Sequence, residues 1–283
     1  MAGQIAILAT AVLMSTNGLF IKLLVWHPAV IACLRSLIAM VFLLVVRYIV
    51  PPPKNAKNPP VPLFVAAILF VATMYTFVIA NKLTTAANAI VLQYGAPIWA
   101  GLLGWWLIKE KPHLENWGAL VFIFGGMALI LGGDLGRGAL LGDGLAVLCG
   151  ICFGAYSVFM RMMKDGNPCD ALLLAHMIGA LIGLPFIFLH PPEITLTSVL
   201  SILYMGIFQI GVASILLAYG LKRVRAIQVM LISTVEPILN PLWVFVVTGE
   251  QPAPVAVLGG AIIVSAVVVS SLIGKRREEG RSL

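Results

Sequence analysis

The feature that most constrains the fold of this chain is a series of ten apolar segments, each long enough to cross a lipid bilayer. A helix needs roughly 20 mostly apolar residues to span the hydrocarbon core. Because only 10% of the 283 residues are charged, the connections are too short to bury a core of their own. The sequence therefore predicts an all-α integral membrane protein of ten transmembrane helices, and it excludes soluble enzymes and nucleic-acid-binding modules. We number the predicted helices α1 to α10, at about residues 3–25, 28–50, 61–81, 84–108, 114–133, 142–163, 169–189, 196–220, 226–248 and 253–274.

The distribution of Lys and Arg predicts how these helices are oriented. Fourteen of the 18 basic residues fall in or beside alternate connections, whereas the connections on the other side hold only Lys82 and Arg137. Basic connections stay on the cytoplasmic side of the membrane. We therefore expect a multi-pass protein of the cytoplasmic (inner) membrane with both termini in the cytoplasm. This topology accounts for the net charge of +7 without nucleic acid. The expected partner is the lipid bilayer, and the protein is expected to be either a monomer or a homodimer.

An internal repeat divides the chain into two halves. When the chain is shifted by 140 residues, seven identities fall within 31 ungapped positions. Since five is an odd number of helices, the second half enters the membrane from the opposite side. The sequence thus predicts two inverted five-helix repeats, residues 1–140 and 141–283, an architecture that forms two alternately open gates around a site near mid-membrane. The identical pairs are Lys82 and Lys222, Ala86 and Ala226, Pro97 and Pro237, Ile98 and Ile238, Leu102 and Leu242, Glu110 and Glu250, and Pro112 and Pro252.

Short motifs in both halves resemble the EamA-type transporters of the drug/metabolite transporter superfamily. The resemblance covers nearly the whole chain, and the motifs occur in the order and at the spacing of that family. They are Asn17-Gly18 in α1, Arg35 in α2, the run Ala86 to Pro112 with Pro97 and the closing Lys109-Glu110-Lys111-Pro112 in α4, and Glu236-Pro237 followed by Gly249-Glu250-Gln251-Pro252 in α9.

The resemblance implies ten helices around a central cavity lined by α1, α3, α4, α6, α8 and α9. It also implies export or uptake of small polar or amphipathic metabolites, with amino acids, amines and related solutes as the expected class. One departure from the repeat matters for function, because Ala96 stands where the second half has Glu236. Any role of that carboxyl group is therefore confined to one half.

Glu236 is the one acidic residue near the centre of a predicted span. An ionisable group there costs about 2.5–3.5 kcal/mol on insertion scales. One interpretation is that Glu236 exchanges a proton during transport or pairs with a cationic substrate, and the other is a protonated side chain that bonds to a neighbouring helix. At about 100° per residue, Ser233 and Asn240 share its face of α9. This polar stripe predicts a substrate-binding face, with hydrogen bonding between helices as the alternative.

Pro97 and Pro237 occupy equivalent positions in α4 and α9. Proline has no N–H, so it removes the hydrogen bond to the carbonyl four residues earlier, here those of Gln93 and Ser233. A freed carbonyl at membrane depth needs another partner. We therefore expect Gln93 and Ser233 to line the cavity and the two prolines to act as hinges, unless the bends merely fit the packing of the helices.

Several other polar and aromatic residues are candidates for the substrate-binding cavity. Aromatic rings suit planar or cationic solutes through stacking and cation-π contacts, although a lone Tyr or Trp in a span also serves packing. The candidates are Asn17 in α1, Tyr75 in α3, Tyr94 and Trp99 in α4, Tyr156 in α6 and Gln209 in α8.

Lys22 and Arg35 lie within the predicted helices α1 and α2. Long basic side chains near a helix end usually extend to the membrane surface. The alternatives are that either residue forms an ion pair at an outer gate or supplies a counter-charge for an anionic group of the substrate. We assign Trp26 to the outer interfacial belt and His176 to hydrogen-bonded packing within α7.

The sequence predicts neither a metal site nor a cofactor. Cys149 and Cys152 have the spacing of a redox or zinc pair, but no second pair and no nearby His completes it. Neither His-Glu-x-x-His nor Gly-x-Ser-x-Gly occurs in the chain, which disfavours an integral membrane enzyme. We expect a secondary transporter that works by alternating access with proton coupling, and an uncoupled facilitator is the nearest alternative.

Overall fold

The computed structural model describes residues 1–50, 58–109, 114–133, 139–163, 166–221, 223 and 232–281. All regular structure within these ranges is helical. Seven helices are long and apolar enough to cross a membrane, and three shorter apolar helices, Val121–Gly132, Val235–Thr248 and Pro254–Ser270, supply the remaining segments. The all-helical fold expected from the hydropathy pattern is therefore confirmed.

The observed helices follow the predicted segments closely, and three of them are built from more than one piece. In chain order they are α1 (Ala2–Ser15 and Asn17–Leu23), α2 (Pro28–Ile49), α3 (Pro60–Leu83), α4 (Ala86–Gln93 and Ala96–Ile108), α5 (Leu114–Gly133), α6 (Leu140–Met162), α7 (Pro168–Leu189), α8 (Leu196–Tyr204, Met205–Val212 and Ala213–Leu221), α9 (Val235–Thr248) and α10 (Pro254–Arg281).

Two equivalent helices, α2 and α7, begin in the same way. Each has a proline at its first position, where the missing N–H leaves no helical bond unmade. The preceding side chain caps the helix in both cases: His27 accepts from the Ala29 N–H at 3.3 Å, and Asn167 accepts from the Cys169 N–H at 3.1 Å. The repeat of 140 residues therefore extends to the local hydrogen bonds that start a helix.

Interruptions occur in the helices that carry the predicted site. The two pieces of α1 meet at Thr16, and those of α4 meet at Tyr94 and Gly95. Thr234, which is Tyr94 shifted by 140 residues, forms a turn directly before α9. The interruption of α4 and the turn at Thr234 lie just before Pro97 and Pro237, the two prolines that were expected to bend these helices. The middle piece of α8 is a π-helix, a rare geometry that is frequent at functional sites.

The packing of helices across the two halves has a regular pattern. The contacts of α3 with α6 have a counterpart in those of α8 with α1, and α4 with α6 corresponds to α9 with α1. Three further contacts, α2 with α7, α4 with α9 and α5 with α10, join equivalent helices. Exchanging the halves thus maps each of these contacts either onto another of them or onto itself, and all of them join helices of opposite halves.

Glycines allow the closest of these contacts. A Cβ at Gly154 of α6 would lie 2.6 Å from the Ala96 carbonyl oxygen, and one at Gly150 would lie 3.1 Å from that of Gln93. Because these distances are at or below the tight end of real contacts, the backbones of α4 and α6 meet only where the side chain is absent. The small-residue spacing in α6 therefore serves helix packing.

Two predictions about individual residues were wrong. Trp26 is buried, with 9% of its surface exposed, and its indole N–H donates to the Glu193 carbonyl at 2.9 Å. It is not a residue of the interfacial belt, because the connection around Glu193 covers it. His176 is fully buried but has no hydrogen-bond partner at either ring nitrogen among the described residues, so the expected hydrogen bond is absent.

Candidate functional site

The hydroxyl of Tyr94 connects the interrupted α4 with α9. It lies 2.8 Å from the Ser233 carbonyl oxygen and 3.0 Å from Glu236 Oε2. Pro237 lies four residues after Ser233, so that carbonyl lacks a helical N–H partner, and the Tyr94 hydroxyl takes that place. The first half of the chain thereby satisfies a backbone group that a proline has freed in the second half.

The number of protons that Tyr94 and Glu236 can donate determines which hydrogen bonds form at the same time. A phenol has one proton to donate, and both the Ser233 carbonyl and an ionised Glu236 are acceptors only. If Glu236 is protonated, it donates to the Tyr94 oxygen while Tyr94 donates to Ser233, and all three groups are satisfied. If Glu236 is ionised, its carboxylate competes with the Ser233 carbonyl for the single proton. The contact between α4 and α9 therefore depends chemically on the protonation of Glu236.

A second polar cluster surrounds the interruption of α1. Three consecutive residues there reach three different helices. Gln209 Nε2 in the π-helical piece of α8 donates to Thr16 Oγ1 at 2.7 Å. Arg35 Nη1 in α2 donates to Asn17 Oδ1 at 2.9 Å. We call these residues, with Gly18 and Asn240, the α1 cluster.

Gly18 is the third of the consecutive residues and meets Asn240 of α9. A Cβ at position 18 would lie only 2.5 Å from Asn240 Oδ1, so glycine is required for this approach. Asn240 is fully buried, and neither polar atom of its amide has a hydrogen-bond partner among the described residues. Since Asn240 lies one helical turn after Glu236 on the same face of α9, it connects the α1 cluster with the Tyr94 contact.

Arg35 lies inside the protein. Only 6% of its surface is exposed, so the expectation that it extends to the membrane surface was wrong. Burying a charge is costly unless the group is paired and hydrogen-bonded. No carboxylate lies within ion-pair distance of it among the described residues, and its hydrogen bond to Asn17 uses one of five N–H donors.

Lys22, in contrast, forms an ion pair. Its Nζ lies 2.7 Å from Glu250 Oε2 and donates to the Thr84 carbonyl at 2.9 Å. Glu250 also accepts from the Ala86 N–H at 2.8 Å, at the start of α4, and Lys82 donates to the Leu24 carbonyl. These contacts join the end of α1 to the start of α4 and to the connection between α9 and α10. We call this side of the bundle the Lys22 end.

The opposite side, which we call the Arg47 end, has its own polar network. Arg47 at the end of α2 forms an ion pair with Asp170 at the start of α7. Asn58, just before α3, donates to Asp170 Oδ2 at 3.0 Å and to the Asn167 carbonyl at 2.9 Å. These bonds join α2, α3 and α7, whereas the bonds at the Lys22 end join α1, α4 and α9.

Three of the sequence candidates make their contacts elsewhere. The Tyr75 hydroxyl donates to the Gly179 carbonyl of α7 at 2.6 Å. The Tyr156 ring packs on Phe70 of α3, with 4.9 Å between ring centroids. The Trp99 ring meets Phe124 of α5 edge-on at 6.0 Å. The structure thus places these rings between neighbouring helices rather than at the Tyr94 contact or in the α1 cluster.

Gln93 precedes the interruption of α4 and has a buried side-chain oxygen with no partner in the described part of the chain. Pro97 is the second residue of the Ala96–Ile108 piece, and Pro237 is the third of α9.

Sequence reasoning missed two acidic residues. From the sequence, Glu250 is identified only as part of the repeat and of the family motif, although its position at the end of α9 on the same predicted side as Lys22 is an available signal. Asp143, in the first turn of α6, is fully buried and accepts from the Thr84 hydroxyl at 2.6 Å and from Asn88 Nδ2 at 3.1 Å. It escaped notice because it lies at the end of a predicted span and not at its centre. Thr84 and Asn88 also line a cleft of about 400 Å³ at the Lys22 end.

Within the described residues, no group of three or more His, Cys, Asp or Glu side chains could hold a metal ion. Cys33, Cys149 and Cys152 are buried, and Cys169 is partly exposed. Cys149 directs its thiol to the Thr73 carbonyl at 3.3 Å. The Cys-x-x-Cys spacing therefore places small buried side chains on α6.

Comparisons with known proteins agree with this architecture. A crystal structure with 18% sequence identity superposes with a TM-score of 0.70 and covers 97% of this chain and 98% of its own. The Bacillus subtilis uncharacterized transporter YwfM is 29% identical over 230 residues, 79% of this chain and 78% of that protein. An uncharacterized transporter of Archaeoglobus fulgidus is 23% identical over 271 residues, 95% and 96% of the two chains. The family model of EamA-like transporters matches residues 1–132 and again 140–272. The chain therefore belongs to the EamA-like transporter family.

Proposed function

We propose that this transporter is a proton-coupled secondary carrier that moves small polar metabolites, of the amino acid or amine class, across the cytoplasmic membrane by alternating access. The two halves, residues 1–140 and 141–283, act as inverted repeats that move relative to each other. The exchange pattern of helix contacts supports this assignment, since α4 packs on α9 and α1 packs on both α8 and α9. The helices α4 and α9, which are equivalent in the two halves, thus meet at the contact between the halves.

The observation that carries the proton coupling is the hydrogen-bond chain from Glu236 through Tyr94 to the Ser233 carbonyl. Protonated Glu236 completes this chain, and ionised Glu236 competes for its one proton. A proton on Glu236 therefore favours the arrangement in which α4 and α9 are joined. Its release weakens that contact, and the interruptions before Pro97 and Pro237 give the two helices a place to bend.

The Lys22 end acts as the gate that is closed in this structure. The ion pair of Lys22 with Glu250 and the bond from Glu250 to the Ala86 N–H join three helices from both halves. The excess of basic residues on the opposite side supports placing the Lys22 end outside the cell and both termini in the cytoplasm.

An uncoupled facilitator of the same fold is the second candidate, because a protonated Glu236 that never titrates would make the same bonds. Fixed protonation predicts transport that is indifferent to a pH gradient. Coupling predicts transport that the gradient drives, so one measurement separates the two functions.

The test is uptake into liposomes that contain the purified protein. Labelled amino acids, amines and nucleosides are presented with and without an imposed pH gradient, and Glu236→Gln is compared with wild type. Proton coupling predicts gradient-stimulated uptake of one solute class that falls at least about tenfold in Glu236→Gln, while exchange of solute at equal pH persists. Glu193→Gln is the matched control, since that side chain is exposed in a connection. Equal stimulation in wild type and Glu236→Gln would contradict the coupling.

A further inference from the structure

Arg35 is a buried cation whose hydrogen-bonding capacity is mostly unused. Its guanidinium makes one hydrogen bond, to Asn17, and lacks an acidic partner in the described part of the chain. A guanidinium presents five N–H donors in a planar fork that matches the two oxygens of a carboxylate. A site that keeps such a group in the membrane interior without an internal anion is suited to an anion that arrives with the substrate.

The polar groups near Arg35 restrict which ligand can bind there. The Thr16 hydroxyl donates to the Leu13 carbonyl at 2.7 Å, so its oxygen is the acceptor for Gln209. Gln209 must therefore present its NH₂ group to Thr16, and its Oε1 is left buried without a partner. The orientation of this amide thus follows from the single proton of the threonine hydroxyl.

Asn240 adds a second unused acceptor beside the same turn of α1. Its Oδ1 is the atom that would lie nearest to a Cβ at position 18, and neither its Oδ1 nor its Nδ2 has a partner among the described residues. The interruption of α1 is thus surrounded by one cation with free donors and two amide oxygens with free acceptor capacity. A ligand that satisfies all of them carries an anionic group and a hydrogen-bond donor a few atoms apart.

We propose that the α1 cluster is the subsite for the substrate's head group, with Arg35 binding a carboxylate and Gln209 and Asn240 accepting from an adjacent ammonium or hydroxyl donor. The proposal rests on the transport function above and defines its substrate as a small amino- or hydroxy-carboxylate. A simple amine would bring a second cation to Arg35. A phosphate monoester would bring excess negative charge to a single cation, and its oxygens would face the amide oxygens.

Direct binding tests this subsite without relying on transport. Purified protein in detergent is titrated by thermal shift with pooled L-amino acids, the corresponding 2-hydroxy acids, the decarboxylated amines, and phosphoserine as the phosphate probe. We expect stabilisation by members of the first two pools and at least tenfold weaker binding when the carboxylate is removed. Arg35→Gln is expected to lose carboxylate binding at least tenfold, and Arg35→Lys, which keeps the charge, to retain part of it.

A control variant and a check of folding complete the test. Glu193→Gln, whose side chain is exposed in a connection, is expected to retain carboxylate binding, and a monodisperse gel-filtration profile of each variant shows that it is folded. Binding of amines or phosphoserine in preference to carboxylates, undiminished affinity in Arg35→Gln, or no binding by any carboxylate would overturn the proposal. Transport of an amine that is driven by a pH gradient and insensitive to Arg35 would overturn the subsite alone, and carboxylate binding without transport would overturn the carrier function alone.

Discussion

The helices α1 and α6 occupy equivalent positions in the two halves, yet they differ in chemistry. The α1 residues Thr16, Asn17 and Gly18 interrupt the helix and bond to polar side chains. Their equivalents in the continuous α6 are Tyr156, Ser157 and Val158, and the equivalent of Arg35 is the fully buried Ala175.

The polar residues of the α1 cluster are therefore present at one of the two equivalent locations and not at the other. Asn240 and Gln209, which complete the α1 cluster, correspond to Ala100 and Leu69 in the first half. The equivalent location in α6 is therefore filled by packing, with Tyr156 against Phe70. In α4 and α9 the division is different, because α4 supplies the Tyr94 hydroxyl and α9 supplies the Glu236 carboxyl to one shared contact.

The largest expected effect comes from giving α1 the residue that α6 has. Gly18→Val places a branched side chain where even a Cβ would lie 2.5 Å from Asn240 Oδ1. Overpacking of this kind costs about 1–3 kcal/mol, and here it displaces the α1 cluster, so we expect substrate binding to fall at least about tenfold.

Val158→Ala is the matched change in α6. It removes two buried methyl groups at a cost of about 1–2 kcal/mol and is expected to lower the melting temperature while binding is retained. Equal losses of binding in both variants would contradict the asymmetry.

The next effect tests the shared contact of α4 and α9. Tyr94→Phe leaves the Ser233 carbonyl and Glu236 without their common partner, and an unsatisfied buried polar group costs about 1–3 kcal/mol. We expect the response of uptake to a pH gradient to fall about tenfold. Tyr48→Phe is the control, since Tyr48 is 89% exposed. A Tyr94→Phe transporter with an unchanged pH response would show that Glu236 titrates independently of α4.

A smaller effect is expected at the Lys22 end. The ion pair of Lys22 and Glu250 has side chains that are 19% and 26% exposed, so its contribution is about 1 kcal/mol or less. Glu250→Gln should shift the balance between closed and open forms by up to about fivefold. The native cysteines are first replaced, and Gln93→Cys then supplies a single cysteine. The rate at which a membrane-impermeant maleimide labels this cysteine measures the shift. The labelling rate should rise in Glu250→Gln, and an unchanged rate at low and high salt would exclude a gating role for the pair.

The smallest effect distinguishes the two equivalent helix caps. Partial burial and the nearby His190 lower the pKa of His27 below its ordinary value of 6.5, and its ring stacks on His190 with centroids 4.3 Å apart. Between the lowered folded pKa and 6.5 the unfolded chain binds more protons, so stability falls as the pH drops through this range. We expect a decrease in melting temperature of about 1 °C between pH 7.5 and 5.5 that His27→Asn abolishes. The cap at Asn167 does not titrate, so a variant at that position should leave the pH dependence unchanged.

The regular features of the fold were predictable because they depend on local composition. Hydropathy located the helices to within a few residues for most of the chain, and the interruption of α4 and the turn before α9 lie beside the prolines at the predicted offset. The helix α10 continues to Arg281, past the predicted end at 274, because a charged run at a membrane surface can remain helical although it is no longer apolar.

The arrangement of the site was less predictable because it depends on contacts between distant segments. Arg35 resembles any basic residue near a helix end until α1 and α2 are packed together. The partnership of Lys22 with Glu250 joins positions 228 residues apart, and neither side chain alone identifies the other. Tyr156 and Tyr94 are both tyrosines in predicted spans, and only the tertiary structure shows that one packs on Phe70 while the other reaches Glu236.

The most direct test of the account is a measurement of proton movement driven by solute. Liposomes that contain the transporter and a trapped pH-sensitive dye are mixed with the solute that binds most tightly, with no imposed pH gradient. Coupling through Glu236 and Tyr94 predicts that solute entry changes the internal pH in wild type and in Glu193→Gln, but not in Glu236→Gln, although solute still exchanges. Solute entry with no change of internal pH in wild type, or with the same change in Glu236→Gln, would contradict it.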